Sequence, residues 1–298
     1  MQQRIAEEKD QFAGILYAAG AYVIWGLIPL YWRLLPHVPP FELTVHRVFW
    51  CAAVVALVLY GRNRFAGIRK VMKDGKTIRT LIVTSLLISM NWGIYIWSIA
   101  THQLVEASFG YYINPLVSIA LGIALLGERL TRARLAAILL AAVAVALQAL
   151  SLDHFPWLAL TLAFSFAAYG YFRKTAAVES LDGLFIETAV LLPLTSGLIA
   201  VWAVRGEGHF ASVDMATDLL LIVAGPMTAI PLALFSAGAR RIRLSTLGFL
   251  QYLSPTISLV IAVALFGEPF TAFHAATFGL IWFALALISL ETLRRNRI

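Results

Sequence analysis

The 298-residue chain has a single cysteine, Cys51, so no disulfide can form within it and no cysteine-ligated zinc or iron–sulfur site can be built. Charge is scarce: Asp, Glu, Lys and Arg make up 13% of residues, against about 25% in soluble domains. No hydrophilic stretch is long enough to form a soluble domain, and the longest polar stretch, residues 62–79, reads as a basic loop. H-E-x-x-H, G-x-S-x-G and Walker A motifs are all missing. The six histidines, His37, His46, His102, His154, His209 and His274, lack metal-ligand spacing. These absences exclude a soluble enzyme, a disordered tail and a fibrous repeat. They imply no catalytic residues, no metal, no cofactor and no direct ATP drive.

What is present is apolar. Hydrophobic residues make up 60% and mean hydropathy is +0.82. Ten stretches contain no Asp, Glu, Lys or Arg: 11–32, 48–61, 80–105, 107–127, 135–152, 154–172, 188–204, 219–239, 244–267 and 269–290. Eight reach the length of about 18–20 residues that a spanning helix needs. The other two do so by starting near Phe41 and Gly183 and including Arg47 and Glu187. The expected fold is an all-α integral membrane protein of ten helices, with charges inside the second and seventh. The first apolar run, 22 residues behind a polar start, is too long for a cleavable signal.

Of the 23 Lys and Arg residues, 20 fall on one side of such a ten-span layout: both termini and the 62–79, 128–134, 173–174 and 240–243 segments. Only Arg33 and Arg205 fall on the other. The positive-inside rule then puts both termini in the cytoplasm. Topology accounts for the net charge of +7, and no nucleic-acid partner is implied.

The sequence also repeats. Displaced by 140 residues, 104–131 falls on 244–271 with ten identities in 28, among them Tyr112/Tyr252, Pro115/Pro255 and Glu128/Glu268. The same offset puts Arg33 on Arg173 and Arg47 on Glu187. The halves, 1–150 and 151–298, hold five expected helices each. Five is odd, so the second half enters the membrane from the opposite side. Such inverted repeats characterise secondary transporters, with the substrate near the midplane between the halves. The competing reading is a non-transporting sensor or scaffold that keeps the duplication for packing.

The stretches 21–32 (AYVIWGLIPLYW), 42–50 (ELTVHRVFW), 91–99 (NWGIYIWSI), 106–130, 162–174 and 244–270 closely resemble RarD-type permeases of the EamA family, within the drug/metabolite transporter superfamily. The resemblance covers nearly the whole chain. It implies a ten-helix, two-repeat permease of the bacterial inner membrane, with export the implied direction, and Gly-Glu closes the fourth helix of each half as in that family.

Candidate site residues follow from charge and polarity at membrane depth. Arg47 and Glu187 are expected to face each other across the cavity as a substrate- or proton-responsive pair; the alternatives are a structural salt bridge or snorkelling to an interface. Beside Arg47, His46 reads as a packing histidine. Asn91 and Tyr95, four residues apart, share a helix face suited to a substrate with aromatic and hydrogen-bonding parts. Pro115 and Pro255 are expected hinges, surrounded by cavity residues Tyr111, Tyr112, Asn114, Gln251 and Tyr252. The expected partners are a small-molecule substrate and the lipid bilayer. Proton or exchange coupling is compatible with the sequence, and so is a homodimer.

Overall fold

The computed structural model describes residues 2–100, 104–128, 130–149, 155, 157–266 and short stretches between 275 and 287. Among these residues the regular structure is all helix: α1 (Gln2–Trp32), α2 (Pro40–Gly61), α3 (Phe65–Lys73), α4 (Gly75–Ala100), α5 (Leu104–Leu126), α6 (Arg132–Ala149), α7 (Trp157–Thr175), α8 (Ser180–Arg205), α9 (Met215–Arg241), α10 (Leu244–Gln251) and α11 (Leu253–Phe266). In lipid a backbone must satisfy its own hydrogen bonds, and for apolar runs of this length the helix does so. Five segments among the described residues are long and apolar enough to cross a membrane: Glu7–Trp32, Pro40–Gly61, Gly75–Tyr95, Ser180–Arg205 and Met215–Arg241. Shorter apolar helices occupy Gly110–Leu126 and Leu135–Leu147. The expected tenth span at 269–290 lies largely, and Glu268 and the basic tail wholly, outside the described residues.

Two local expectations need correction. The basic stretch 62–79 is not a loop but α3 followed by the first turn of α4. Phe65 and Ile68, three apart and so on one face, fix α3 to the bundle: Ile68 is buried and the Phe65 ring meets Phe185 of α8 at 5.9 Å. Arg69, Lys70 and Lys73 stay exposed.

The second correction concerns the prolines. Pro115 lies inside the continuous α5, whereas the helix containing Pro255 is interrupted at Tyr252, between α10 and α11. Had that helix continued, the Pro255 ring would meet the carbonyl of Gln251, four residues back. After the break Pro255 is the third residue of α11, where a first-turn N–H has no intrahelical acceptor to lose. Equivalent prolines therefore do not make equivalent kinks.

Three helix starts recur 140 residues apart: Pro40 and Ser180, Gly75 and Met215, Leu104 and Leu244. The second pair is preceded by equivalent caps. Asp74 accepts from Lys76 N at 3.1 Å and Thr77 Oγ1 at 2.5 Å, and Asp214 accepts from Thr217 N at 2.6 Å. Asp-x-x-Thr at 74–77 and at 214–217 is the sequence signal of both caps. The Thr77 hydroxyl and the Thr217 amide hold the two carboxylates below their ordinary values. A depressed carboxylate stabilises above its unfolded pKa and loses that effect as pH falls. Amide protection in the first turns of α4 and α9, measured against the intrinsic exchange rate at each pH, should therefore fall below about pH 4, and Asp74→Asn should remove that pH dependence in α4.

The bundle closes through small residues, as membrane helices do. A Cβ on Gly225 of α9 would stand 2.5 Å from the carbonyl carbon of Trp50 in α2, and one on Gly110 of α5 2.6 Å from the carbonyl oxygen of Ala159 in α7. Trp50's backbone cannot rotate aside. Gly225→Ala should push α2 off α9 and cost about 1–3 kcal/mol, read as a lowered melting temperature in detergent. An unchanged melting temperature would contradict this packing. At the centre, Tyr22, Trp25, Phe166, Tyr169 and Phe235 form an aromatic plug with ring centroids 5.4–6.1 Å apart.

Candidate functional site

Arg47 is the eighth residue of α2. Its Nε donates to Thr228 Oγ1 of α9 at 3.0 Å, and its guanidinium carbon lies 5.1 Å from the ring of Trp92 and 5.9 Å from that of Trp32. The rings of Tyr95 and Tyr111 meet edge to face at 5.8 Å, and together with Tyr31 they lie within reach of the Arg47 charge. These groups come from α1, α2, α4 and α5, yet Tyr31, Trp32, Arg47, Trp92, Tyr95 and Tyr111 all keep part of their accessible surface. All six are half-buried at the edge of the packed core, and they wall the guanidinium with aromatic rings, an aromatic chamber around one cation. Among the described residues, no hydrogen-bond acceptor or carboxylate meets the two terminal nitrogens of Arg47.

Glu187 is the eighth residue of α8, and it does not face Arg47. Its Oε1 lies 3.6 Å from Arg173 Nη1, and Tyr169 Oη donates to Oε2 at 3.4 Å. Arg173, expected in a polar segment, is 1% exposed at the end of α7. It donates through Nε to Ser236 Oγ and through Nη2 to the Ser180 carbonyl, both at 3.0 Å. A Cβ on Gly183 would stand 2.1 Å from Arg173 Nη1, so the guanidinium crosses α8 where a side chain is missing.

The expected pairing of Arg47 with Glu187 fails on geometry. The start of α2 is tied to the segment after α8, by Glu42 and His209, and the end of α2 to the start of α8, by Arg64 and Glu179. The two helices enter from opposite ends, so their eighth residues sit at opposite depths. Cys51, one turn beyond Arg47, lies between the two charges within electrostatic reach of both.

The remaining expected site residues divide. Tyr95 and Tyr111 line the chamber. Asn91 is 1% exposed and spends its amide on α7, donating to the Leu162 carbonyl at 3.0 Å and Ser165 Oγ at 2.9 Å. Asn114 likewise donates to the Ala163 carbonyl at 2.6 Å. Both lock helices together instead of lining the cavity. Tyr252 and Tyr112 belong to the contact between α5 and the α10–α11 break, where Tyr252 Oη donates to the Tyr112 carbonyl at 3.3 Å, and Gln251 is buried at the end of α10. His46 is buried 3.9 Å from Glu42 and against Phe210, consistent with packing. Sequence reasoning missed Tyr31, Trp32, Trp92, Arg173 and Thr228 as site residues. The Trp92–Tyr95 spacing of three was the available signal for the chamber face.

Comparison with known families decides the class. The EamA-like transporter pattern matches residues 12–150 and, a second time, 156–290. The chain belongs to the EamA-like transporter family. It is 42% identical over 290 residues to the protein RarD of Streptomyces exfoliatus, covering 97% of this chain and 92% of that one. It is 40% identical to Escherichia coli RarD, over 98% of both chains. It is also 40% identical to the uncharacterized transporter YojE of Bacillus subtilis, over 95% of this chain and 96% of that one. A crystal structure with 21% identity shares the fold at a TM-score of 0.71, covering 93% of this chain and 98% of its own. The EamA-like chain is thus a multi-pass membrane transporter.

Polar ties join the first and second halves of this transporter at both ends of the bundle. At the end carrying the N-terminus, Arg64 bonds Glu179 at 2.7 Å, Arg241 bonds Asp10 at 2.9 Å, and Glu128 accepts from Leu244 N at 2.6 Å, at the start of α10. At the other end, Glu42 accepts from His209 N at 2.6 Å and pairs with its ring Nδ1 at 2.7 Å, while His37 bonds Thr217 at 3.0 Å. Each tie joins a residue before position 150 to one after it.

Proposed function

We propose that this chain is a secondary transporter that moves a small organic molecule outward across the bacterial inner membrane by alternating access. Its halves, 1–150 and 151–298, are five-helix repeats of opposite topology with both termini cytoplasmic. The double family match, the helix starts 140 residues apart and the one-sided Lys and Arg distribution support this reading. The observation that carries it is the Arg47 chamber: a half-buried arginine with no acidic partner among the described residues, ringed by aromatic side chains between helices. The plug and the Arg173–Glu187 pair separate that chamber from the N-terminal end. The polar ties at the two ends act as gates that open in turn, and the interrupted α10–α11 helix together with Pro115 absorbs the movement.

The test is flux. Purified protein in proteoliposomes is loaded with a labelled small-metabolite extract and compared with empty vesicles. Release of particular compounds above the empty-vesicle rate is the expected result. Retention of every compound would favour the sensor or scaffold reading.

A further inference from the structure

We propose that the Arg47 chamber selects organic monoanions: molecules with one carboxylate, or a similar planar oxyanion, on a flat apolar body. This deepens the transport reading and rests on it for the word substrate, though not for binding.

The argument begins with an uncompensated charge. A guanidinium withdrawn from bulk water is costly unless it is paired. Within the described residues the nearby acids are committed elsewhere. Glu187 is held by Arg173, Glu42 by His209, and Asp218 by the amide of Ala211 at 2.7 Å. Thr228 is neutral and engages only Nε. Trp92 and Trp32 solvate the cation through their ring faces but supply no negative charge. The compensating anion must therefore come from the ligand.

Geometry then selects its shape. With Nε pinned to Thr228, the plane of the guanidinium is fixed and its two terminal nitrogens form the free side of the fork. Such a fork matches a carboxylate through two parallel hydrogen bonds. A cationic ligand would be repelled, and a neutral one would leave the charge uncompensated. Next to the fork stand the Trp92 ring and the edge-to-face pair Tyr95–Tyr111. These surfaces suit a flat apolar or aromatic body, and among the described residues the chamber offers no acidic group to take an ammonium.

Binding tests this directly. The purified full chain in detergent is titrated with benzoate, phenylacetate and indole-3-acetate, with the corresponding neutral amides, and with benzylamine, followed by thermal shift and calorimetry. The carboxylates should bind at least about tenfold more tightly than the amides, and benzylamine should bind least. Arg47→Lys should keep the preference for anions at reduced affinity, because an ammonium is a point charge without the fork. Thr228→Val, which frees the fork's orientation, should weaken carboxylates more than amides. Equal binding of amides and carboxylates, preference for benzylamine, or no carboxylate binding in the millimolar range would each overturn the proposal.

The same compounds as labelled cargo in proteoliposomes separate the two readings. A carboxylate that binds through Arg47 but is never carried would leave the anion site standing and remove transport. A neutral cargo carried equally by wild type and Arg47→Lys would leave transport standing and remove anion selection.

Discussion

Arg173→Ala should lower stability by about 3–5 kcal/mol, the cost of leaving one member of a buried ion pair alone. The side chains of Arg173 and Glu187 are 0% and 3% exposed. Without the guanidinium, Glu187 keeps only the Tyr169 hydroxyl, and Ser236 and the Ser180 carbonyl lose their donor. Replacing both charges by apolar side chains of similar volume, as Arg173→Met with Glu187→Leu, should recover most of the loss, because two desolvation costs vanish together. Gly183→Ala should reproduce part of the single-mutant effect by displacing the guanidinium. Exchanging charges between Arg47 and Glu187 should rescue nothing, since those residues are not partners. Thermal unfolding in detergent checks the whole series. A double mutant as unstable as the two single losses combined would contradict the pairing.

Arg47→Gln should show the opposite profile: stability unchanged or raised, flux reduced by about ten- to hundredfold, the worth of a hydrogen-bonded charged contact. Unlike Arg173, Arg47 has one neutral hydrogen bond and two ring faces, and no counter-charge among the described residues. Removing it relieves an uncompensated charge rather than stranding one. Residues that break a local stability rule without compensation mark functional sites. Flux per folded molecule, measured beside the melting temperature, separates the two effects. A destabilised variant with normal flux would make Arg47 a structural residue.

How far the sequence could be read depends on which physical signal each feature leaves. Five of the ten expected spans stand as long apolar helices among the described residues, legible because lipid demands long charge-free runs, and the offset of 140 that aligns Pro115 with Pro255 also separates the starts of α2 and α8, of α4 and α9, and of α5 and α10. Arg47 stood out because charge at membrane depth is rare. Its environment did not, because a tryptophan facing a chamber and one anchoring at an interface have the same spacing along a helix, so Trp92 was indistinguishable from Trp97. Arg173 was hidden by its neighbour Lys174: two adjacent cations read as a loop, although one points into the bundle and the other reaches the Ala239 carbonyl at 3.2 Å. The misjudged Arg47–Glu187 pair has a geometric origin. In two helices entering from opposite ends, equivalent positions coincide in depth only at the midplane, and the eighth residue is not there. Asn91 and Asn114 were polar and deep as expected, but only three-dimensional packing shows that α7 offers carbonyls to both.

The central claim is that one chamber, lined by Arg47, Tyr95 and Tyr111, opens to each side of the membrane in turn. Cysteine accessibility tests it most directly: Tyr111→Cys in a Cys51→Ala background, in oriented proteoliposomes, exposed to a membrane-impermeant thiol reagent on one face or the other. Alternating access predicts labelling from both faces, slowed from both by a bound ligand. Labelling from one face only, whatever ligand is present, would contradict it.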